Sequence, residues 1–321
     1  MRITTTLPSL KAGSKGVRML DPSYLTYPKR RRGMDHELYE WSSIFERAPL
    51  EWPSRAKVAI AVVVSLEWFP IIPSDRPFRA PGHMQTAYPD YRHYTAREYG
   101  TRVGLYRLLD ALAAADATAS FATNGAIADR YPEVIEHLLA KGHEIVAHSS
   151  DMNGTIATGI AEEEEKQLIE SSLASLERVA GHRPRGWMSI ARSQSWDTPR
   201  LLVEAGIAYC CDWVNDDLPY SMKTAAGPLI NVPVNHELSD RQVIGTQQQS
   251  AESYAVQIKD AFHWLVGEAE ESSPRFLPIH VTPYIMGLPY RIGAFEELLR
   301  WLADQGDCAF HTCGEVASAA R

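Results

Sequence analysis

The chain has 321 residues, 45% of them hydrophobic, which is enough for one large core and suits a single barrel-sized domain. A net charge of −8 gives no basic field for nucleic acid or an anionic membrane, so a small or neutral substrate is expected. The four cysteines, Cys210, Cys211, Cys308 and Cys313, show neither CxxC spacing nor a disulfide-rich pattern, which suits buried packing in a reducing, cytoplasmic setting.

Met1 to Gly33 is polar, ends in the basic run Lys29-Arg30-Arg31-Arg32 and lacks the apolar core of a secretory signal, so no export is expected. Without interleaved aromatics the basic run reads as a solvated arm rather than a nucleic-acid patch, and Met34 is an alternative start. Residues 1–50 are taken as an N-terminal arm and 51–321 as the folded domain.

The run from Val58 to Leu66 is β-branched, apolar, too short to span a bilayer and stopped by Glu67 and Pro70, which predicts a buried parallel strand. A Pro- and Tyr-rich insertion holding Gly82-His83 and His93 follows, fit for a lid or a subunit contact. Beyond it, amphipathic helices alternate with apolar strands, the pattern of βα units around a parallel sheet. A helix is expected over Val103 to Ala115, a strand over Thr118 to Thr123, and a helix opened by Pro132 and closed by Gly142. The strand Glu144 to Ala147 delivers His148. Glu162 to Glu165 opens a helix whose N-terminal dipole favours carboxylates, so this run is read as capping and solvation rather than calcium binding. Thr198 as N-cap and Pro199 start another helix that Gly206 ends, before a strand from Ile207 to Cys211 followed by Asp212-Trp213. Ser250 caps a helix through about Glu268, Phe276 to Ile279 forms a strand ending in His280, and Phe295, Leu298, Leu299 and Leu302 mark a last packed helix.

Glu67, His148, Asp212 and His280 each follow an apolar strand, so they converge at one barrel rim. A lone histidine after a strand is more often a hydrogen-bonded structural residue than a catalyst, but four polar strand ends together make a site.

The segments Ser65-Leu66-Glu67-Trp68, Ala147-His148-Ser149, Arg183-Pro184-Arg185-Gly186-Trp187, Asp212-Trp213 and Leu277-Pro278-Ile279-His280 follow one another as the motifs of polysaccharide deacetylases do, so the chain resembles that family (NodB homology) from about Val58 to His311. The resemblance implies an α/β fold, a distorted (β/α)7 barrel, with the arm preceding it. Tyr99-Gly100-Thr101-Arg102-Val103-Gly104, Asp212 to Tyr220, and Pro283-Tyr284 through Pro289-Tyr290-Arg291 resemble more closely the cofactor-independent, allantoinase-like branch, which opens cyclic amides and implies a homo-oligomer. The metal-dependent branch would need aspartates where Glu67 and Trp68 stand and a second histidine where this chain has Met152. No cofactor is therefore expected. Should a divalent ion, zinc or manganese, bind, its ligands would be His148, Asp151 and Glu67.

The expected chemistry is hydrolysis of a carbon–nitrogen bond other than a peptide bond, in a small cyclic amide or imide such as allantoin or a hydantoin. Glu67, its pKa raised by burial beside Trp68, takes a proton from water that attacks the carbonyl. Arg192, Trp187 or backbone N–H groups receive the oxyanion, and His280 protonates the departing nitrogen. His148 polarises the carbonyl or orients the water, and Asp212 holds His280 in its tautomer. Trp68, Asp151, Asn153, Trp213, Asn235, His236, Glu237 and Tyr284 supply flat apolar faces and amide-matching polar edges for the ring, although Asn235 to Glu237 also suit plain loop hydrogen bonding. The alternatives are a metal-dependent deacetylase of an N-acetylated sugar, acting in carbohydrate metabolism, and a non-catalytic barrel that binds a small ligand. No GxGxxG or GxxxxGK[ST] motif points to nucleotide chemistry.

Overall fold

The strand Val58–Leu66 (β1) is buried along its whole length because both faces of a parallel sheet are covered, and this is why its sequence is continuously apolar. The computed structural model describes residues 34–73, 89, 91–271 and 273–320. The arm to Gly33, its basic run and Gly82-His83 lie outside the described residues. The chain divides into two units, Met1–Ser42 and Ser43–Arg321, and the sheet with its helices belongs to the second.

After β1 come β2 (Ala119–Thr123), β3 (Glu144–Ala147), β4 (Gly186–Trp187), β5 (Tyr209–Cys210), β6 (Tyr220–Thr224), β7 (Gly227–Asn231), β8 (Arg275–Val281) and β9 (Cys308–Phe310). Among the described residues they form one sheet in the order β6-β7-β5-β4-β3-β2-β1-β8, with β9 also paired to β1, curled into a half-barrel. All pairs are parallel except the β6–β7 hairpin. The helices are α1 (Tyr91–Tyr99), α2 (Leu105–Ala114), α3 (Gly125–Arg130), α4 (Pro132–Ala140), α5 (Glu162–Ala180), α6 (Thr198–Glu204), α7 (Ala251–Glu271), α8 (Pro283–Met286), α9 (Ile292–Ala303) and α10 (Cys313–Ala319). The α/β barrel expected from the sequence is thus the architecture found. His93 sits on α1, its ring 6.1 Å from Phe69.

Register places the site. Leu66 pairs with Thr123, Thr123 with Ala147, Ala147 with Trp187, Trp187 with Cys210 and Cys210 with Asn231. This row runs along one rim, so the residues just beyond it, Glu67, Asn124, His148 and Asp212 among them, emerge side by side. Alternation along β1 puts Ala59, Ala61 and Val63 in the core with Ala122, Val146, Met188 and Phe276, and carries Ser65 and Glu67 to the same face. His280 pairs with Val63, deeper than the rim row.

The opposite end is closed by polar bonds. Glu144 accepts from Ser120 Oγ at 2.6 Å, Tyr209 Oη at 2.7 Å and the Gly314 N–H at 3.1 Å, while Ser120 Oγ accepts from the Cys313 N–H at the start of α10. Burial pushes the Glu144 carboxyl up, against these donors. All four thiols are free, and Cys210, Cys211 and Cys313 are buried.

Two local expectations need correction. Thr198 does not cap α6: Asp197 holds that position, and the Thr198 hydroxyl instead donates to Glu165. Glu165, 1% exposed, also accepts from Ser195 Oγ at 2.6 Å, so this member of the acidic run is a buried acceptor rather than a solvated cap. No helix among the described residues is long and apolar enough to cross a membrane.

A π-helical turn, Gly100–Gly104, packs against α8 so closely that a Cβ on Gly104 would stand 2.1 Å from the Pro283 carbonyl oxygen. Gly104→Ala is expected to destabilise the domain by about 3 kcal/mol through this overpacking and to displace Tyr284 on α8. Urea denaturation that left the midpoint unchanged would contradict the packing.

Candidate active site

Glu67 is the centre of the rim, its side chain 2% exposed. Oε2 accepts from Arg241 Nη2 and lies 3.5 Å from Tyr284 Oη, while Oε1 is 3.4 Å from His148 Nε2. Burial by itself would raise this carboxyl, but the adjacent Arg241 charge and His148 outweigh it and hold the pKa down to about 2. The sequence expectation of a Glu67 tuned toward neutrality is therefore corrected. The group is an ionised, tightly paired carboxylate.

Arg241 was missed because it does not end a strand. It opens a π-helical turn, Arg241–Thr246, reached through Ser239, which bridges in parallel to His280, and through Asp240. Asp240 accepts from the Thr282 N–H at 2.7 Å and the Thr282 hydroxyl at 3.1 Å, and Arg241 Nε donates to Thr282 Oγ1 at 3.2 Å. Burial pushes Asp240 up to about 7 in spite of these donors and Arg241. The available sequence signal was an Asp-Arg pair between Leu238 and the apolar Val243-Ile244, a charged pair entering a buried stretch.

His148 is fixed by its other nitrogen. Nδ1 lies 2.5 Å from the Met188 carbonyl, which can only accept, so Nδ1 carries the proton. Nε2 is buried, faces Glu67 and makes no hydrogen bond. Asn124, also missed, joins the two segments: its amide donates to the His148 carbonyl and its Oδ1 accepts from the Trp68 N–H at 2.8 Å. Ser149 then turns with φ 62°, held by Ser172 Oγ on its carbonyl at 2.8 Å.

His280 cannot serve as the acid expected for it. Nε2 is 2.8 Å from Ser65 Oγ, and Nδ1 accepts from Arg192 Nη2 at 3.3 Å, so both nitrogens are engaged. Burial, then the Arg192 and Arg241 charges, push its pKa well below the usual histidine value, so it stays neutral with its one N–H, on Nε2, committed to Ser65. Asp212 does not hold His280 either. It accepts from the Ser189 N–H at 2.7 Å, Ser189 Oγ at 2.8 Å and Gln194 Nε2 at 2.6 Å, and burial still raises its pKa. Trp187 is withdrawn as an oxyanion donor, because it is fully buried and its N–H goes to Ser189 Oγ at 2.8 Å.

The remaining candidates divide by position. Tyr284 lies over Glu67, its ring 6.0 Å from Phe69 and 5.6 Å from the Arg241 guanidinium. Burial raises its phenol, so it stays a donor. Trp68 is stacked under the Arg130 guanidinium at 4.3 Å, and Trp213 donates to Gln194 Oε1 at 3.0 Å. Asp151 Oδ1 accepts from the Asn153 N–H, Asn153 donates to the Ile72 carbonyl, and Asn235 accepts from the Leu238 N–H. Those bonds are loop-forming. Asn235 and Glu237 are exposed, whereas His236 is half-buried, its pKa lowered by burial and Arg192.

A divalent ion does not fit these residues. Among the described residues no three His, Cys, Asp or Glu gather as metal ligands, so the fallback set His148, Asp151 and Glu67 is not assembled. Glu67 has one oxygen on Arg241, Trp68 and Met152 offer no hard donor, and the guanidinium already supplies the local positive charge.

A parallel barrel with a buried carboxylate and histidine at its C-terminal rim defines a deacetylase-like hydrolase. Residues 98–210 match the family model described as polysaccharide deacetylase, and solved structures that the chain resembles are deacetylase-like. A Pseudomonas aeruginosa PAO1 protein described as a probable polysaccharide deacetylase is 26% identical, with a TM-score of 0.76 over 85% of this chain and 94% of its own. Puue allantoinase shares the fold at 23% identity, with a TM-score of 0.73 over 88% of this chain and 97% of its own. A Mycobacterium smegmatis protein assigned to the deacetylases does so at 22%, with a TM-score of 0.70 over 86% and 94%. No curated protein matches the sequence significantly.

A depressed carboxylate pKa favours the folded state above the ordinary value of 4.5, and that contribution is lost as the pH falls from there toward about 2. Arg241→Met is expected to cost about 3–5 kcal/mol at neutral pH, because it leaves the Glu67 charge buried and unpaired. The deficit shrinks on acidification, where the unpaired carboxyl takes up a proton. Denaturant midpoints showing the same deficit at both pH values would refute this pairing.

Proposed function

We propose that the chain hydrolyses the carbon–nitrogen bond of a small cyclic amide or imide, with His148 as the proton carrier and Glu67 as its ionised partner. The observation that carries this reading is the buried His148 Nε2 standing 3.4 Å from the Glu67 carboxylate, which its neighbours keep ionised. With the proton on Nδ1, Nε2 offers a lone pair beside the Glu67 carboxylate, and a water approaching from the substrate side can donate to both. One O–H points to Nε2 and the other to Glu67, which turns an oxygen lone pair toward the substrate carbonyl.

As the oxygen–carbon bond forms, His148 Nε2 takes the proton of the attacking water, and Glu67 stabilises the resulting imidazolium. The oxyanion is received by the Tyr284 hydroxyl and the Arg241 guanidinium, both kept protonated by their raised pKa values. Collapse breaks the carbon–nitrogen bond, and the imidazolium returns its proton to the departing nitrogen. A cyclic substrate is supported by the flat aromatic surroundings of Trp68, Phe69 and Tyr284, and by the shared barrel of Puue allantoinase.

Purified protein is to be assayed with a panel of hydantoins, cyclic imides, dihydropyrimidines, allantoin and N-acetylated sugars, before and after exhaustive chelation. Ring opening that survives chelation is expected. Turnover confined to acetylated sugars, or lost with metal and restored by zinc or manganese, would overturn the reading.

His148→Ala is expected to lower kcat by about 10²–10⁴-fold, and Tyr284→Phe by about 10²-fold, as for loss of one oxyanion donor. Glu67, titrating at about 2, should add no limb to the rate near neutrality. A pH–rate profile that is unchanged in Glu67→Gln and His148→Ala would remove both residues from the mechanism.

A further inference from the structure

Arg192 is a buried cation at the rim with no carboxylate in ion-pair contact, its charge offset through space by buried Asp212. Nη2 donates to the Val234 carbonyl at 3.1 Å and to His280 Nδ1 at 3.3 Å, and both acceptors are neutral. Nε is buried with no hydrogen-bond partner. Arg192 forms no ion pair with any described carboxylate: Asp212 is taken up by Ser189 and Gln194, and Glu237 is exposed to solvent. The nearby histidines register its charge, since Arg192 contributes to the lowered pKa of both His236 and His280.

The backbone adds an independent observation. Ala191 and Arg192 have φ of 55° and 59°, two successive non-glycine residues in the left-handed region, a conformation that costs free energy and survives where the surroundings impose it. The guanidinium is held by its bonds to His280 and the Val234 carbonyl. Desolvating a guanidinium without an anion is unfavourable, and bidentate recognition of a carboxylate is what its fork of donors fits.

We propose that Arg192 is an anion receptor and that the substrate is a cyclic amide or imide bearing a carboxylate. The carboxylate binds through Nε and the accessible part of the guanidinium, while the ring carbonyl lies at Glu67, His148 and Tyr284. Ser65 and His280 are positioning residues: Ser65 fixes Nε2 of His280, so that Nδ1 stays an acceptor for Arg192. This assignment rests on the ring-hydrolase reading for its substrate class, but the anion site itself is testable without turnover.

The test compares hydantoin-acetate with hydantoin-acetamide, which share a ring and differ by one charge. Calorimetric Kd and, where turnover occurs, kcat and KM are measured for wild type, Arg192→Lys and Arg192→Gln. Wild type should bind the acetate at least 30-fold more tightly than the acetamide. Arg192→Gln should lose at least tenfold more affinity for the acetate than for the acetamide, mainly in Kd and KM, with partial recovery in Arg192→Lys. Circular dichroism of each variant establishes that it is folded, and Ser65→Ala, which leaves the guanidinium in place, should weaken acetate binding selectively as a second readout. Equal binding of the two compounds, binding of neither, or a loss in Arg192→Gln that falls equally on both compounds or on kcat alone overturns the proposal. Selective acetate binding without ring opening would uphold the anion site and refute the ring-hydrolase reading instead.

Discussion

The parallel register is the constraint on which the rest of the molecule depends. Because Leu66, Thr123, Ala147, Trp187, Cys210 and Asn231 occupy one row, the chain leaves each strand at the same height, and polar residues distant in sequence meet at the rim. A slip of one residue in β1 would turn Ser65 and Glu67 away from that face and bring Val64 and Leu66 to it. Register of this kind is specified by the apolar content of both strand faces, so the core and the chemistry are fixed by the same hydrogen bonds.

The second constraint is electrostatic. A carboxylate as buried as Glu67 keeps its charge because Arg241 is clamped beside it by Asp240, Thr282 and the bridge from Ser239 to His280. The same pairing that preserves the charge weakens the carboxylate as a base. Arg241 thus supplies the positive charge beside the buried carboxylate, with Thr282 and the Tyr284 ring as its other neighbours.

Much of this was legible in the sequence where a long apolar run ends in a polar residue, as at Leu66-Glu67 and Ala147-His148. The β6–β7 hairpin was not, because its connection is Ala225-Ala226 rather than an Asn-Gly or Asp-Gly turn, and β4 is too short to show a period. Among the site residues, Asp212 lies past a strand end as expected, whereas His280 sits within β8 and deeper than the rim, and the roles of both were not legible. A role depends on which partners occupy each lone pair, and Ser65, Arg192, Ser189 and Gln194 come from different segments of the chain. Arg241 was hidden for a related reason: it arrives on a π-helical turn beside the sheet, where neither alternation nor strand-end position marks it.

The closed end of the barrel has a kinetic consequence. Glu144, with Ser120, Tyr209 and the start of α10 packed over it, seals the axis opposite the rim, so a molecule that reaches Glu67 from the rim leaves by the way it entered. Product and substrate then exclude one another from the same passage. Under the proposed reaction, a product that keeps the group by which its parent was held competes directly with the next substrate, and turnover slows as product accumulates even while the chemical step is unchanged.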